Sequence, residues 1–256
     1  MLKNSFIFLD KVSYATEKKI WAQNIKTWEH FLDAKEIAGF GNSRKIFCDQ
    51  QIKKAKEATW NQDALVLKNL FPQAEHWRLY DYFKDDVCFL DIETSGYYGD
   101  ITVLGMYDGN ETKIMVKGKN LNAQLLGQML KQYKLLVTFN GASFDIPVIN
   151  KYYPNTIPNI PHLDLRHPLA KLGYSGGLKQ IEKQLGIRRA EGVQGMQGSD
   201  AVSLWHLYKA TGEERYLEKI IQYNEEDIIN LKPLAEFVYE NMKKKIFSEN
   251  TQFLEK

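Results

Sequence analysis

The fold is decided by the stretch Val87-Cys88-Phe89-Leu90-Asp91-Ile92-Glu93-Thr94, an apolar run that ends in two carboxylates. A short apolar run with β-branched residues predicts a buried strand. Side chains alternate along a strand, so Asp91 and Glu93 should leave it on the same face. Two adjacent carboxylates repel each other, and a divalent cation between them, Mg²⁺ or Mn²⁺, is the simplest resolution. An N-cap beside a solvated acid is the alternative for this motif alone.

The elements after this strand predict an α/β sandwich. Segments 101–107 and 112–116 alternate apolar and polar residues around Asp108-Gly109-Asn110, which predicts a hairpin. A helix from Asn120 or Asn122 to about residue 133 and a strand over 135–139 should follow. Strands joined by crossover helices are typical of an α/β fold. After Pro161 the sequence is mostly helical, and helices are predicted over 178–185, 200–211, 213–230 and 233–245.

The part before this strand contains few strand signals and predicts a helical N-terminal extension. Thr16, Thr27 and Asp63 can each cap a short helix, over 17–23, 28–34 and 64–70 respectively, and Pro72 suits the first turn of another. The predicted domains are therefore a helical region over 1–84, an α/β domain over 85–246 and a tail over 247–256.

Composition excludes several classes of protein. The chain has 256 residues, with 34 Lys+Arg against 32 Asp+Glu, so its net charge of +2 excludes a histone-like polycation. Two cysteines argue against a disulfide scaffold and against a cysteine-rich zinc site. No apolar run approaches the roughly 18 residues that span a bilayer. We therefore expect a soluble, cytoplasmic protein without a membrane partner.

A second acidic position, Asp145, follows the predicted strand 135–139 and the break at Asn140-Gly141. Ligands gather at the carboxyl ends of strands in open α/β sheets, so Asp145 should meet Asp91 and Glu93 there. Asp145 also suits the first turn of a helix, where the helix dipole favours a carboxylate. Both interpretations can hold together.

A third position combines Tyr223 and Asp227, which are four residues apart on the predicted helix 213–230. That spacing places both side chains on one helix face. The alternative is a solvated acidic helix with Tyr223 half buried. In company with the other two motifs, a site is the stronger interpretation.

These three motifs together resemble the DEDD exonuclease superfamily, which has a ribonuclease H-like fold, in its tyrosine variant. The resemblance spans about residues 86–240 and rests on Phe89-Leu90-Asp91-Ile92-Glu93-Thr94, Asn140-Gly141-Ala142-Ser143-Phe144-Asp145 and Tyr223-x-x-x-Asp227. The sequence looks closest to the YprB-type bacterial branch, through Gly177-Leu178-Lys179-x-Ile181-Glu182, Leu185-Gly186-Ile187, Trp205 and Tyr223-Asn224-Glu225-Glu226-Asp227.

The resemblance implies a mixed five-stranded sheet flanked by helices, and two-metal hydrolysis of a phosphodiester at a single-stranded 3′ end of DNA or RNA. The implied metal ligands for two Mg²⁺ or Mn²⁺ ions are Asp91, Glu93, Asp145 and Asp227. Asp91 is the expected bridging ligand. Tyr223 should orient the attacking water, because a phenolic hydroxyl with an ordinary pKa of about 10 is a poor base at neutral pH.

Substrate-binding residues are also implied. Backbone around Thr94 should face the terminal nucleotide, and Asn140 and Phe144 should touch the substrate. Phe144 either stacks on a base or packs under the sheet. Lys179 belongs to the segment 166–189, which has six basic residues and one acid and suits a nucleic-acid backbone; a solvated helix face is the alternative.

Other functions stay open from sequence alone. The chain has the acids of a nuclease, yet the same fold could serve as a non-catalytic nucleic-acid-binding module. A structure-specific endonuclease and an assembly subunit are further alternatives. Residues 9–32 resemble a degenerate helix-hairpin-helix that lacks the glycines needed for phosphate contact, so a helical cap is an equal interpretation.

Overall fold

A computed structural model describes residues 1–96 and 99–248 of the chain. It divides into two compact units. Unit 1 comprises Met1–Tyr82 together with residues 239–248, and unit 2 comprises Phe83–Val238. Residues 249–256 of the predicted tail lie outside the described residues, whereas 247 and 248 end the last helix. The boundaries of independently folding domains stay a prediction.

Unit 2 is built on a five-stranded mixed sheet, as predicted. Strand β1 pairs antiparallel with β2, which pairs antiparallel with β3. On its other side β1 pairs parallel with β4, which pairs parallel with β5. The order is therefore β3-β2-β1-β4-β5, and the strands are β1 Val87–Thr94, β2 Ile101–Tyr107, β3 Thr112–Val116, β4 Leu135–Thr138 and β5 His162–Asp164.

Helices account for most of the remaining described chain. In unit 1 they are α1 Tyr14–Ala22, α2 Trp28–Asp33, α3 Asn42–Trp60, α4 Ala64–Leu70 and α5 Tyr80–Phe83, which ends at the first residue of unit 2. Unit 2 continues with α6 Ala123–Leu130, α7 Asp145–Tyr152, α8 Arg166–Lys171, α9 Leu178–Leu185, α10 Gly198–Thr211 and α11 Glu214–Ser248, whose last residues belong to unit 1. Short 3₁₀ helices are Leu2–Asn4, Gln73–Leu79, Lys84–Asp86 and Glu191–Val193.

Along β1, the apolar residues Cys88, Leu90 and Ile92 alternate with the acids Asp91 and Glu93. Cys88, Leu90 and Ile92 belong to one core cluster, together with Leu126 of α6 and Ile149 of α7. Each buried leucine or isoleucine of this set contributes about 1.5–3 kcal/mol through removal of apolar surface from water. Because Cβ direction alternates along a strand, the positions between these residues leave on the opposite face of the sheet. The acids of β1 therefore project away from this core.

The opposite face of the sheet is covered by the C-terminal helices of unit 2. A second core cluster joins Val103 of β2 and Val116 of β3 to Trp205 of α10. It also contains Leu217, Ile220 and Tyr223 of α11. This packing brings the third motif of the sequence to the same face as Asp91 and Glu93.

Unit 1 is organised around a buried ion network. The Arg78 guanidinium, which is fully buried, donates from Nη1 and Nη2 to the Glu17 carboxylate at 2.9 Å each. Its Nε donates to Glu75 at 2.7 Å, and Nη1 also donates to Ser5 Oγ at 3.0 Å. Glu17 accepts two further hydrogen bonds, from the backbone N–H groups of Phe6 and Ile7. Several segments of unit 1 are thus fixed to one charged centre.

None of the helices among residues 1–96 and 99–248 combines the length and the apolar character that crossing a membrane would require.

Candidate active site

Three carboxylates meet at the carboxyl end of β1. One oxygen from each of Asp91, Glu93 and Asp227 lies within 4.8 Å of the others. Asp91 and Glu93 share a face of β1, and Asp227 reaches them from α11. Distant parts of the chain thus form one acidic cluster, and its oxygen donors are those that Mg²⁺ and Mn²⁺ prefer.

The fourth predicted acid, Asp145, adjoins this cluster from the first turn of α7. Its Oδ1 accepts a hydrogen bond from the backbone N–H of Ile92 at 3.1 Å, between the two acids of β1. Its charge contributes to raising the pKa of Asp91. Asp145 therefore begins α7 and also lies beside the acids of β1.

Burial and repulsion shift all four acids in the same direction. Burial raises the pKa of Asp91, and the charges of Asp145, Asp227 and Glu93 raise it further. Burial and then Asp227 likewise raise the pKa of Glu93. The pKa of Asp145 rises to about 7, mainly through burial. The pKa of Asp227 is raised by burial, although the Arg189 guanidinium opposes that rise. Such a cluster favours any cation that offsets its charge.

Asn224 binds Asp91. Its Nδ2 donates to Asp91 Oδ2 at 2.9 Å, and its side chain is fully buried. The carboxamide lies over Gly105 of β2, which is the residue directly opposite Asp91 in the sheet. A Cβ at Gly105 would lie 2.1 Å from Asn224 Oδ1, so only glycine leaves room for this side chain.

Tyr223 lies one helical turn before Asp227 and is buried, with 3% exposure. Burial, followed by the charges of Asp227, Glu93 and Asp91, raises its pKa above the ordinary value. The hydroxyl is therefore neutral at physiological pH, which suits an orienting group rather than a base. Lys179 donates a hydrogen bond to that hydroxyl, and its Nζ lies 4.0 Å from the ring centroid.

The other predicted substrate residues have local partners. Thr94 is buried, follows a β-bulge and donates from Oγ1 to the carbonyl of Gly96 at 3.0 Å. Asn140 has a left-handed backbone with φ of 63°, and its Oδ1 accepts from Arg166 at 2.5 Å. Phe144 is half-buried and packs against the core cluster beneath the sheet. These contacts favour packing for Phe144 over a freely exposed stacking surface.

The sequence interpretation missed two contacts of the acid cluster. The third motif was interpreted through Tyr223 and Asp227 alone, yet Asn224 between them binds Asp91. Arg189 was grouped with cations that follow a nucleic-acid backbone, yet its side chain is 7% exposed and pairs with Glu182 and Asp227. The one sequence signal for Asn224 is its place directly after Tyr223, on a helix that is half buried. Nothing local in the sequence distinguishes Arg189 from Arg188.

The comparisons with known proteins agree with this geometry. The family model of the RNase_H superfamily matches residues 88–239, which include all four acids and the tyrosine. No curated protein and no solved structure matches the chain. With the match covering more than half of its length, the chain belongs to the RNase H superfamily.

Proposed function

We propose that this chain is a metal-dependent 3′–5′ exonuclease that hydrolyses phosphodiester bonds at single-stranded 3′ ends of DNA or RNA. Membership of the RNase H superfamily suggests a nuclease and a nucleic-acid substrate. The observation that carries the finer proposal is the meeting of three carboxylates within 4.8 Å, with Asp145 and Tyr223 beside them. Four acids and a neutral hydroxyl form a complete set for two-metal hydrolysis.

The residues present suit divalent cations. Asp91, Glu93 and Asp227 would hold them, with Asp145 as the fourth ligand, and no nitrogen or sulfur donor belongs to the described cluster. When bound, Mg²⁺ or Mn²⁺ supplies the acidity for water activation and offsets negative charge on the phosphate. The protein's own side chains orient these metal ligands. Asn224 fixes Asp91 through one oxygen and leaves the other for a ligand.

Tyr223 and Lys179 act on the substrate side in this proposal. The neutral Tyr223 hydroxyl orients the attacking water, and Lys179 places a positive charge beside it for a phosphate oxygen. Thr94, Asn140 and Phe144 would contact the terminal nucleotides through backbone, amide and ring. These three assignments rest on the resemblance alone, because their side chains have the other partners described above.

The metal assignment is tested by Asp91→Ala. We expect Mn²⁺-dependent degradation of end-labelled single-stranded DNA and RNA to fall to background, because the cluster loses one of its three closely spaced carboxylates. The matched control is Asp85→Ala, an exposed acid just before β1, which should leave the rate unchanged. Undiminished activity of Asp91→Ala, with a circular dichroism spectrum like the wild type, would remove Asp91 from the mechanism.

The polarity is tested on the substrate rather than on the protein. Blocking the 3′ hydroxyl of a single strand should protect it, and a 5′-labelled strand should shorten in single-nucleotide steps. Cleavage of a circular single strand would instead indicate the endonuclease alternative. Binding without cleavage, in either Mg²⁺ or Mn²⁺, would favour a non-catalytic module.

The tyrosine is tested by Tyr223→Phe, which removes the hydroxyl but keeps the ring in its core cluster. We expect kcat to fall by about 10- to 100-fold while Mn²⁺ affinity is unchanged, since the hydroxyl orients water and ligates nothing. Tyr216→Phe, a half-buried tyrosine nearer the start of the same helix, serves as the control. A wild-type rate for Tyr223→Phe would exclude an orienting role.

A further inference from the structure

A buried chain of polar contacts leads into the acid cluster from the side of α9. Arg189 donates from Nε and Nη2 to the two oxygens of Glu182, at 2.6 and 2.7 Å. Its Nη2 also donates to Asp227 Oδ1. Asn230 completes the chain by donating to Glu182 Oε1 at 3.1 Å. The side chains of Arg189, Glu182 and Asp227 are only 7%, 2% and 9% exposed.

The two bonds to Glu182 fix the guanidinium in its plane. A carboxylate that binds Nε and Nη2 together leaves the arginine no rotational freedom. The remaining N–H of Nη2 therefore has a set direction, and the Oδ1 atom of Asp227 lies along it. The Oδ2 atom of Asp227 is then left for a cation. Arg189 thus restricts how the Asp227 carboxylate can turn.

A second observation separates this arrangement from an ordinary structural ion pair. Arg189 Nη1 is buried and has no hydrogen-bond partner among the described residues. Buried donors in a purely structural pair are normally satisfied. In a planar guanidinium, Nη1 shares its outer edge with Nη2, the atom that binds Asp227. The unsatisfied edge of Arg189 is therefore the one directed at the acid cluster.

We propose that Arg189, oriented by Glu182, is a positioning residue for Asp227 in the cation site. This inference rests on the proposed function, because it acts through Asp227 as a metal ligand. A comparable single contact occurs at another acid of the cluster, where Asn224 Nδ2 donates to Asp91 Oδ2. Both donors leave a single oxygen of each aspartate for a ligand.

A positioning role and a purely electrostatic role of Arg189 predict opposite effects of its replacement on the affinity for divalent cations. A positive charge close to the cluster repels divalent cations, so its removal alone would strengthen their binding. Loss of orientation would weaken binding, because outer partners of metal ligands typically contribute about 10- to 100-fold in affinity or activity. Lysine keeps the charge but has no planar fork, so Arg189→Lys isolates the positional effect.

The experiment is a calorimetric titration of the full chain with Mn²⁺, followed by kinetics on end-labelled single-stranded DNA. We expect Arg189→Lys, Arg189→Met and Glu182→Gln each to weaken Mn²⁺ binding by about 10- to 100-fold. Their kcat should fall with little change in KM, because the substrate contacts are intact. Arg215→Lys is the matched control, since Arg215 is an exposed arginine at the start of α11, and should behave as the wild type.

Two results would overturn the inference. In the first, Arg189→Lys stays within twofold of the wild type in Mn²⁺ affinity and kcat while Arg189→Met binds Mn²⁺ more tightly, which would assign Arg189 a charge effect only. In the second, Glu182→Gln, which keeps the arginine, leaves both quantities unchanged. Circular dichroism without metal verifies that each variant is folded. Absence of Mn²⁺ binding by the wild type would overturn the proposed function as well, and so distinguishes the two failures.

Discussion

At the scale of single residues, the buried and mutually repelling acids of the cluster destabilise the folded state when they are ionised. Favourable interactions in other parts of the fold must offset this cost. Four buried or nearly buried carboxylates lie close together, and burial is the largest cause of each raised pKa. Sites of this kind trade stability for function. The metal-free protein should therefore gain stability whenever one of these acids is protonated.

Asp145 provides a quantitative test, because its pKa rises to about 7. The unfolded chain releases this proton near pH 4, whereas the folded chain keeps it until about pH 7. The folded state binds more protons over that interval, so the free energy of unfolding falls as pH rises from about 4 to 7. Urea denaturation of metal-free protein between pH 4 and 8 should show the fall.

The contribution of Asp145 is isolated by Asp145→Asn, which cannot ionise. We expect a shallower fall of the free energy of unfolding with pH in this variant, and Asp85→Asn should keep the wild-type slope. The same slope in Asp145→Asn and the wild type would contradict the assignment. Added Mn²⁺ should stabilise the wild type more at pH 8 than at pH 5, because cations bind the deprotonated acids.

The order and spacing of the three acidic motifs predicted that the four acids and Tyr223 would lie together, and the structure places Asp145 and Tyr223 beside the other three acids. The partners of these acids could not be identified in this way. Asn224 becomes significant only when β2 presents Gly105 opposite Asp91. Arg189 becomes significant only when its loop returns to α11. Both depend on contacts between distant parts of the chain, which local patterns do not encode.

At the scale of elements, the strands and helices with strong periodicity were predictable, whereas elements such as α3 and β5 were not. Helix α3 was missed because it begins at a glycine cap without a side-chain hydrogen bond, and its buried positions include Lys45, Cys48 and Ala55. Strand β5 has three residues, too few to show an alternating pattern. Its last residue, Asp164, accepts hydrogen bonds from the backbone N–H groups of Asn140, Ala142 and Arg166.

Helix boundaries also differed from the prediction for physical reasons. Ser13 rather than Thr16 caps α1, so the helix begins one turn earlier than its most apolar residues suggest. Two predicted helices, 213–230 and 233–245, are one continuous helix with Pro233 inside it. Proline removes one backbone hydrogen bond, but packing on both sides of it keeps the helix intact. The caps at Thr27 and Asp63 were predicted correctly.

Strand β2 carries a testable requirement at Gly105. Gly105→Ala would put a Cβ 2.1 Å from Asn224 Oδ1 and 3.1 Å from Ile228 Cδ1, so it should cost about 1–3 kcal/mol. The variant should also lose the proposed nuclease activity, since Asn224 is pushed from Asp91. Urea denaturation and the degradation assay measure the two effects.

A double-mutant cycle with Asn224→Ala identifies the cause. Removing the carboxamide frees the space that the new methyl group needs, so the combined variant should regain about 1 kcal/mol relative to the sum of the single changes. Strict additivity would mean that the two residues do not compete for this space. Gly127→Ala on α6, where the nearest atom is 3.7 Å away, is the control and should not destabilise.

At the scale of the whole molecule, each unit has its own buried charged centre. Arg78 in unit 1 neutralises Glu17 and Glu75 away from solvent. Breaking a buried pair by removing one partner typically costs about 3–5 kcal/mol, because the other charge is left uncompensated. Arg78→Leu should therefore destabilise unit 1 by about that amount. Trp21, Trp28 and Trp77 are buried in this unit, so fluorescence-detected urea denaturation reports it.

An exposed ion pair in the same unit provides the comparison. Lys56 and Glu29 lie 3.3 Å apart, and both side chains are exposed. Pairs of this kind contribute about 0–1 kcal/mol, so Lys56→Met should leave the transition nearly unchanged. Equal effects of Arg78→Leu and Lys56→Met would refute the role assigned to the buried network.

The hydrogen bond from Asn224 to Asp91 joins residues 133 positions apart. This separation determines how late in folding the set of acids is assembled. Closing so long a loop is a late and entropically costly event in folding. During synthesis, β1 emerges long before the turn of α11 that carries Asp227. A nascent chain or a fragment that ends before this turn holds only part of the acid set. Under the proposed function, hydrolysis therefore begins only after the sheet and α11 have come together.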